Sequence, residues 1–439
     1  MSPLELPLSR LVQALQRDEV ALEDYFAAAL AGVEARDRSV LALLPEEGRK
    51  QRLEERAREL RSVPAGERPP LYGVLVGVKD IMKVAGLPMQ AGSQLPAEAF
   101  AGPEAAIVSR LRSLGAVVLG RTVTTEFAYF APGPTRNPRG LEHTPGGSSS
   151  GSAAAVAAGY APIALGTQTI GSVSRPAAFC GVVGVKPTAG KLPREGVFPF
   201  SPTADQIGYF VRSVDDAAFV LKLLLPGSDG AGTLPTPSRD TNSSPGPRFA
   251  VPHENYLSCA DPAGRRHFDA TLTALSKAGA EVVSTFGLED FDGIRERHRR
   301  LISAEFAGVH ESLVERYASL YSSQSLALIS EGKKVGEREH AEARQSCASL
   351  REELDGMLSE RGCDAWLSPA APSVAPHGIE RTGDPVMNLP WTHAGVPTLA
   401  IPSGSDDRGL PFGLQVAGRF NGDRALVTTG GWLEERLPG

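Results

Sequence analysis

The stretch that most limits what this chain can fold into runs from Thr144 to Pro176 and reads TPGGSSSGSAAAVAAG, then YAPIAL, then GTQTIGSVSRP. Residues 150–158 are small and nearly uncharged. Alanine and serine let neighbouring backbone come close, so this segment is expected as a helix packed on all sides. Such a helix of about ten residues advances about 15 Å. Gly159 ends it, and residues 160–165 then read as a short buried strand that returns a similar distance at about 3.3 Å per residue. The loop carrying Ser148, Ser149 and Ser150 therefore meets the loop carrying Thr167, Thr169, Ser172 and Ser174 at one end of the unit. Both loops are rich in glycine, which frees backbone N–H groups to face a developing negative charge. Composition alone also fits a flexible linker. The apolar runs AVVLG before and FCGVVGV after argue against that.

The rest of the chain gives this unit a setting. With 439 residues, 41% hydrophobic and 22% charged, it has the composition of an ordinary globular protein with a large core. Its net charge of −6 carries no basic cluster, so nothing points to nucleic acid or an anionic membrane as a partner. The start MSPLELPLSRLVQAL has no charged region leading into an apolar core, and no apolar run approaches the roughly 18 residues of a membrane span, so a cytoplasmic location is the expectation. Four scattered cysteines and eight dispersed histidines show no metal-ligand spacing. Reduced thiols, with no metal and no cofactor, are expected.

Residues 1–65 alternate apolar and charged positions at helical spacing and read as an outer helical layer. Residues 71–78 (LYGVLVGV) form a short apolar strand that places Lys79 at its carboxyl end, where ligands of open α/β sheets bind; a solvated strand-end lysine is the plainer reading. Helices then alternate with short apolar strands, which predicts an α/β fold: a large mixed, mostly parallel sheet covered by helices on both faces. Residues 226–248 are a flexible loop rich in Pro, Gly and Ser, and residues 249–361 read as a peripheral, mainly helical region on the substrate side. Strand-like segments occur on both sides of that loop, so the whole of 1–439 is expected to be one domain.

Two chemistries fit the serines. Gly147-Ser148-Ser149-Ser150-Gly151 matches GxSxG, a nucleophile elbow with Ser149 as nucleophile, which needs an acid and a histidine downstream. The histidines from His253 to His393 carry no context that picks one out. A phosphate-binding loop is excluded, because GGSSSGSA lacks its lysine. The second arrangement joins Lys79 to both serine loops.

The ordered segments LYGVLVGVKD, AVVLGRTVTTEFAY, PGGSSSGSAAAVAAG and GTQTIGSVSRPAAFCGVVGVKPT, with VPTLAIPSG and GLPFGLQVAGR near the end, resemble the amidase signature family of amidohydrolases over nearly the whole chain. The resemblance implies Lys79 as base, Ser148 as bridging serine in a cis Gly147–Ser148 peptide, and Ser172 as acyl-forming nucleophile. It implies an oxyanion hole built from the backbone N–H groups of Thr169, Ile170, Gly171 and Ser172, and substrate contacts from Phe127, Tyr129 and Phe130. Arg175 and Asp205 are expected as supports, and Met387, Asn388 and Trp391 are weaker candidates for substrate contact. Many members carry Gly and Asp where this chain has Ile170 and Gln168, which puts the oxyanion loop in question. The implied activity is a serine hydrolase of small-molecule amides, extending to aryl amides, carbamates and esters, with water as co-substrate. The same motifs fit the glutaminase-type subunit of a tRNA-dependent amidotransferase. A non-catalytic relative would not need all three relay residues. Oligomeric state is not legible.

Overall fold

The computed structural model describes residues 3–225, 246–284 and 286–438, so the expected loop at 226–248 lies, up to residue 245, outside the described residues. Ten strands form one sheet: β1 (Leu75–Lys79), β2 (Val117–Thr122), β3 (Ile163–Gln168), β4 (Val183–Lys186), β5 (Gln206–Val211), β6 (Arg248–Ala250), β7 (Glu281–Val283), β8 (Ala365–Pro369), β9 (Thr398–Ser405) and β10 (Pro411–Ala417). Their order across the sheet is β2-β1-β3-β5-β4-β9-β10-β8-β6-β7.

The sheet is mixed, as the sequence predicts, but its parallel pairing is confined to the two wings. The triplets β2-β1-β3 and β8-β6-β7 are parallel, whereas every pairing from β3 across to β8 is antiparallel. The reason lies in the connections. Residues 187–205 and 406–410 join β4 to β5 and β9 to β10 without a helix, and a parallel return needs a crossover. Strand β5 escapes sequence reading because Gln206 and Gly208 interrupt its apolar run. β6 and β7 likewise sit in a region read as mainly helical, yet they extend the sheet.

Strand alternation sorts side chains onto two unlike faces. On one face Ala164, Phe210 and Ala400 pack with Ala153, Val156, Ala177 and Ala178 from the helices Ser150–Ala157 and Ser174–Cys180. On the other, Leu165, Tyr209 and Leu399 join the large core, and Tyr209 Oη donates to the Ala217 carbonyl of the helix Val214–Leu224 at 2.7 Å. Both faces therefore carry helices, and one of them is built mostly from alanine and valine with Phe179 and Phe210 as its large side chains. The N-terminal segment holds the helices Leu8–Gln16, Leu22–Val40 and Arg49–Arg61. Among the described residues, no helix is long and apolar enough to cross a membrane.

The small face lets the serine-bearing helix dock backbone to backbone. Gly151 N donates to the Val123 carbonyl at 2.9 Å. Ser152 Oγ donates to the Leu165 carbonyl at 2.8 Å and sits 2.7 Å from Thr122 Oγ1, so the helix start is stitched to β2 and β3. A Cβ at residue 151 would lie 2.3 Å from the Ala42 carbonyl oxygen and 2.4 Å from Val123 N, against backbone that cannot yield. Gly151→Ala is therefore expected to cost about 3 kcal/mol in urea unfolding, and Gly159→Ala, with open space around it but a left-handed φ of 76° that an alanine adopts only under strain, about 1 kcal/mol.

Candidate active site

Helix and strand meet as the small-residue unit requires. The serine loop, the start of the helix Ser150–Ala157 and the carboxyl ends of β1 and β3 converge on one cleft lined by Ala128, Tyr129, Phe130, Ser148, Thr169, Ile170, Ser172, Arg175, Phe200 and Pro385. Lys79 closes β1 with no solvent exposure. Its Nζ lies 2.7 Å from Ser148 Oγ and 2.8 Å from Thr167 Oγ1. Burial drives its pKa well below the ordinary 10.5, against the weaker opposing pull of Asp205. Burial therefore favours the neutral amine, with an apolar strand behind it and two hydroxyls before it. Ser148 is 2% exposed and Ser172 8%, and both face the cleft.

The Gly147–Ser148 peptide is cis. Arg175, fully buried in the next helix, donates from Nη2 to the Gly147 carbonyl at 2.6 Å and from Nη1 to the Gly383 carbonyl at 2.9 Å. Burial lowers its pKa to about 10, so it stays charged. It thus supports the serine loop. Asp205 is the second support: it accepts Thr169 Oγ1 at 2.5 Å and the N–H groups of Phe200 and Ser201 at 2.8 and 3.1 Å, and burial raises its pKa to about 6.

Ser149 is spent elsewhere. Its Oγ accepts the Thr167 N–H and donates to the Thr167 carbonyl, each at 3.2 Å, and no histidine is among its partners. The elbow reading of Ser149 is corrected accordingly. Phe127 is also corrected. Positive φ angles at Phe127 (49°) and Ala128 (62°) turn the ring out of the cleft. It packs instead against His310, Tyr321 and Phe198, with centroids 4.5, 4.9 and 5.9 Å away. Tyr129 and Phe130 do line the cleft. Trp391 and Met387 are fully buried and line no part of the cleft.

The departures at 168 and 170 are absorbed. Gln168 Oε1 accepts the N–H groups of Val173 and Ser174 at 2.8 and 2.9 Å, and its Nε2 donates to Thr392 Oγ1 at 3.0 Å. Ile170 needs no glycine-only conformation, since its φ is not positive. Gly171 is the position that must lack a side chain, because a Cβ there would lie 2.3 Å from Asn388 Oδ1. Among the described residues, no carbonyl or side chain takes up the N–H groups of Ile170, Gly171 or Ser172. Sequence reading missed His298 and Thr392, which reach this loop from distant helices at 3.1 and 2.7 Å. No local pattern marks either one.

A model of the family described as Amidase matches residues 24–427. The chain belongs to the amidase family. This amidase-family chain is 33% identical over 462 aligned residues to the A-subunit of the glutamyl-tRNA(Gln) amidotransferase of Anaeromyxobacter sp. (strain K), covering 95% of this chain and 93% of that protein. Among solved structures it is similar to a crystal structure of an amidase, with a TM-score of 0.85, 33% identity and coverage of 99% of this chain and 100% of that one. It is also similar to the peptide amidase of Stenotrophomonas maltophilia, with a TM-score of 0.80, 28% identity and coverage of 99% and 97%. The family is one of hydrolases acting on C–N bonds. Among the described residues, no group of three or more His, Cys, Asp or Glu side chains stands close enough to hold a metal ion.

A lysine buried neutral takes up a proton when the chain unfolds at any pH below about 10.4, so its burial costs stability at neutral pH and that cost fades as pH rises toward 10. Lys79→Met removes the cost. Urea unfolding at pH 7 and pH 10 should show the variant gaining on wild type at pH 7 and losing that relative advantage at pH 10.

Proposed function

We propose that this amidase-family hydrolase cleaves the C–N bond of small-molecule amides through an acyl-enzyme formed on Ser172. The observation that carries this reading is the fully buried Lys79 with its Nζ 2.7 Å from Ser148 Oγ, beneath a cleft that Ser172 also lines, and burial favours its neutral form. A neutral amine keeps a lone pair after donating to Thr167. It can take the proton of Ser148 as Ser148 takes that of Ser172, which makes the Ser172 oxygen a competent nucleophile. The same protons return to the departing nitrogen, and water then hydrolyses the acyl-enzyme. Of the four residues the resemblance implies for the oxyanion hole, Ile170, Gly171 and Ser172 are the donors proposed here, and Thr169 holds the loop through its Oγ1 bond to Asp205.

Ile170, Tyr129, Phe130, Phe200 and Pro385 give the cleft apolar and aromatic walls, which suit an aryl acyl group. Aryl amides are the favoured substrates, with carbamates and esters sharing the same carbonyl geometry. A second reading, a glutaminase-type subunit working within an amidotransferase, draws on the name of the 33% identical relative.

Purified protein offered a chromogenic aryl amide, aryl ester, aryl carbamate and glutamine tests both readings. Ser172→Ala and Lys79→Met are each expected to lose about a thousandfold or more in kcat/KM. Ser149→Ala is expected to stay within about tenfold while losing about 1 kcal/mol of stability through its hydrogen bonds to Thr167. Glutamine as the one substrate turned over, and only with partner subunits added, would replace the first reading with the second.

A further inference from the structure

The three N–H groups proposed to face the oxyanion belong to peptide planes whose carbonyls point the opposite way. In a trans peptide the C=O of one residue and the N–H of the next are antiparallel, so fixing the carbonyl fixes the donor. Each of the three carbonyls is held. The Thr169 carbonyl accepts from His298 Nε2 at 3.1 Å, and this aims Ile170 N–H. The Ile170 carbonyl accepts from Thr392 Oγ1 at 2.7 Å, and this aims Gly171 N–H. The Gly171 carbonyl accepts Arg175 N–H at 3.1 Å, and this aims Ser172 N–H.

The first clamp differs from the others in depending on a tautomer. It comes from a side chain on the helix Phe291–Tyr317, and it works only if His298 carries its proton on Nε2. A carbonyl oxygen can only accept, so that tautomer is imposed from one side. From the other side, His298 Nδ1 lies 3.1 Å from His393 Nδ1, and His393 Nε2 lies 2.8 Å from Ser346 Oγ. Both rings are buried, and burial pushes His298 down to about 4 and His393 well below its ordinary range, so each is neutral with one N–H. Cys347 Sγ lies farther from His393, 3.5 Å from Nδ1 and 3.8 Å from Nε2, and one proton arrangement satisfies the shorter contacts of the chain. Ser346 donates to His393 Nε2, although the Ala343 carbonyl lies equally near at 2.8 Å, His393 Nδ1 donates to His298 Nδ1, and His298 Nε2 donates to Thr169. The second histidine orients the first as a carbonyl or carboxylate orients histidines elsewhere.

We propose that His298 is a positioning residue for the amidase reaction, holding the Thr169–Ile170 peptide so that Ile170 N–H faces the oxyanion, with His393 fixing its tautomer. The proposal rests on the reading of the cleft given above. It also accounts for how a loop with Ile170 in place of glycine keeps a defined shape: the plane is pinned from outside.

The test compares wild type with His298→Leu, which fills the space but cannot donate, and His298→Gln, whose side-chain amide can. On an aryl amide, H298L is expected to lose about 10- to 100-fold in kcat with KM nearly unchanged, part of what removing one oxyanion donor costs. Its affinity for an aryl boronic acid, which forms a tetrahedral adduct with the serine, should fall by the same factor. H298Q should recover kcat to within about threefold of wild type. Equal losses in both variants, or a loss confined to KM with boronate affinity intact, would overturn the proposal. Nitrogen NMR of 15N-histidine-labelled wild type, with H298Q assigning the signal, gives a check independent of whether H298L folds. A proton on Nε2 supports the clamp, and a proton on Nδ1 overturns it. Ser172→Ala separates the two levels. Retained amide turnover in S172A would sink the reading of the cleft and this inference with it, whereas an inactive S172A beside a fully active H298L would sink the inference alone.

Discussion

A primary amine of ordinary pKa 10.5 sits at the end of an apolar strand without solvent, and the rest of the site is arranged around the cost of putting it there. Desolvation of an unpaired charge is expensive, so burial favours the neutral amine, which is satisfied by hydroxyls. Ser148 and Thr167 supply them from two segments that are far apart along the strand-helix-strand path but adjacent in space. The carboxylate that bears on Lys79, Asp205, is turned toward Thr169 and the backbone of residues 200 and 201. A carboxylate in direct contact with Nζ would charge the lysine and remove the base.

That arrangement demands close approach, which the alanine, serine and glycine content of one sheet face provides. Ala164, Ala177, Ala178 and Ala400 leave so little space that helix and sheet backbones nearly touch, and Ser149 and Ser152 bond directly to strand backbone. Serines here do two jobs. Ser149 and Ser152 tie loops to strands, while Ser148 and Ser172 face the cleft. The close packing of this mostly small-residue face also keeps water out and preserves the low dielectric that disfavours a charge on Lys79.

The oxyanion loop follows the same logic of fixing one group through its neighbour. Gln168 caps the start of the next helix through Val173 and Ser174, and Thr392 links Gln168 to the Ile170 carbonyl. Substituting a neutral amide at 168 keeps both bonds to the helix start, because accepting an N–H requires only an oxygen. Substituting isoleucine at 170 alters the wall of the cleft while leaving the backbone in a conformation open to any residue.

Much of this was legible in the residues alone. The Gly-Ser-Ala stretch, its flanking apolar runs and the lysine ending LYGVLVGV determine a strand and helix pair that brings two serine loops to one edge, because short-range periodicity and residue size decide those elements. Sequence could not say which of Ser148, Ser149 and Ser150 would face the cleft without the likeness to a family, since the three share one chemistry and differ only in direction. Nor could it find β5, whose polar and glycine positions hide it, or foresee the inward turn of Phe127, which depends on two positive φ angles. The burial of Lys79 and the contacts of His298 and Thr392 with residues 169 and 170 were decided by tertiary structure alone. Burial and hydrogen-bond partners are properties of groups brought together across 69 to 222 residues of chain, and no local pattern records them.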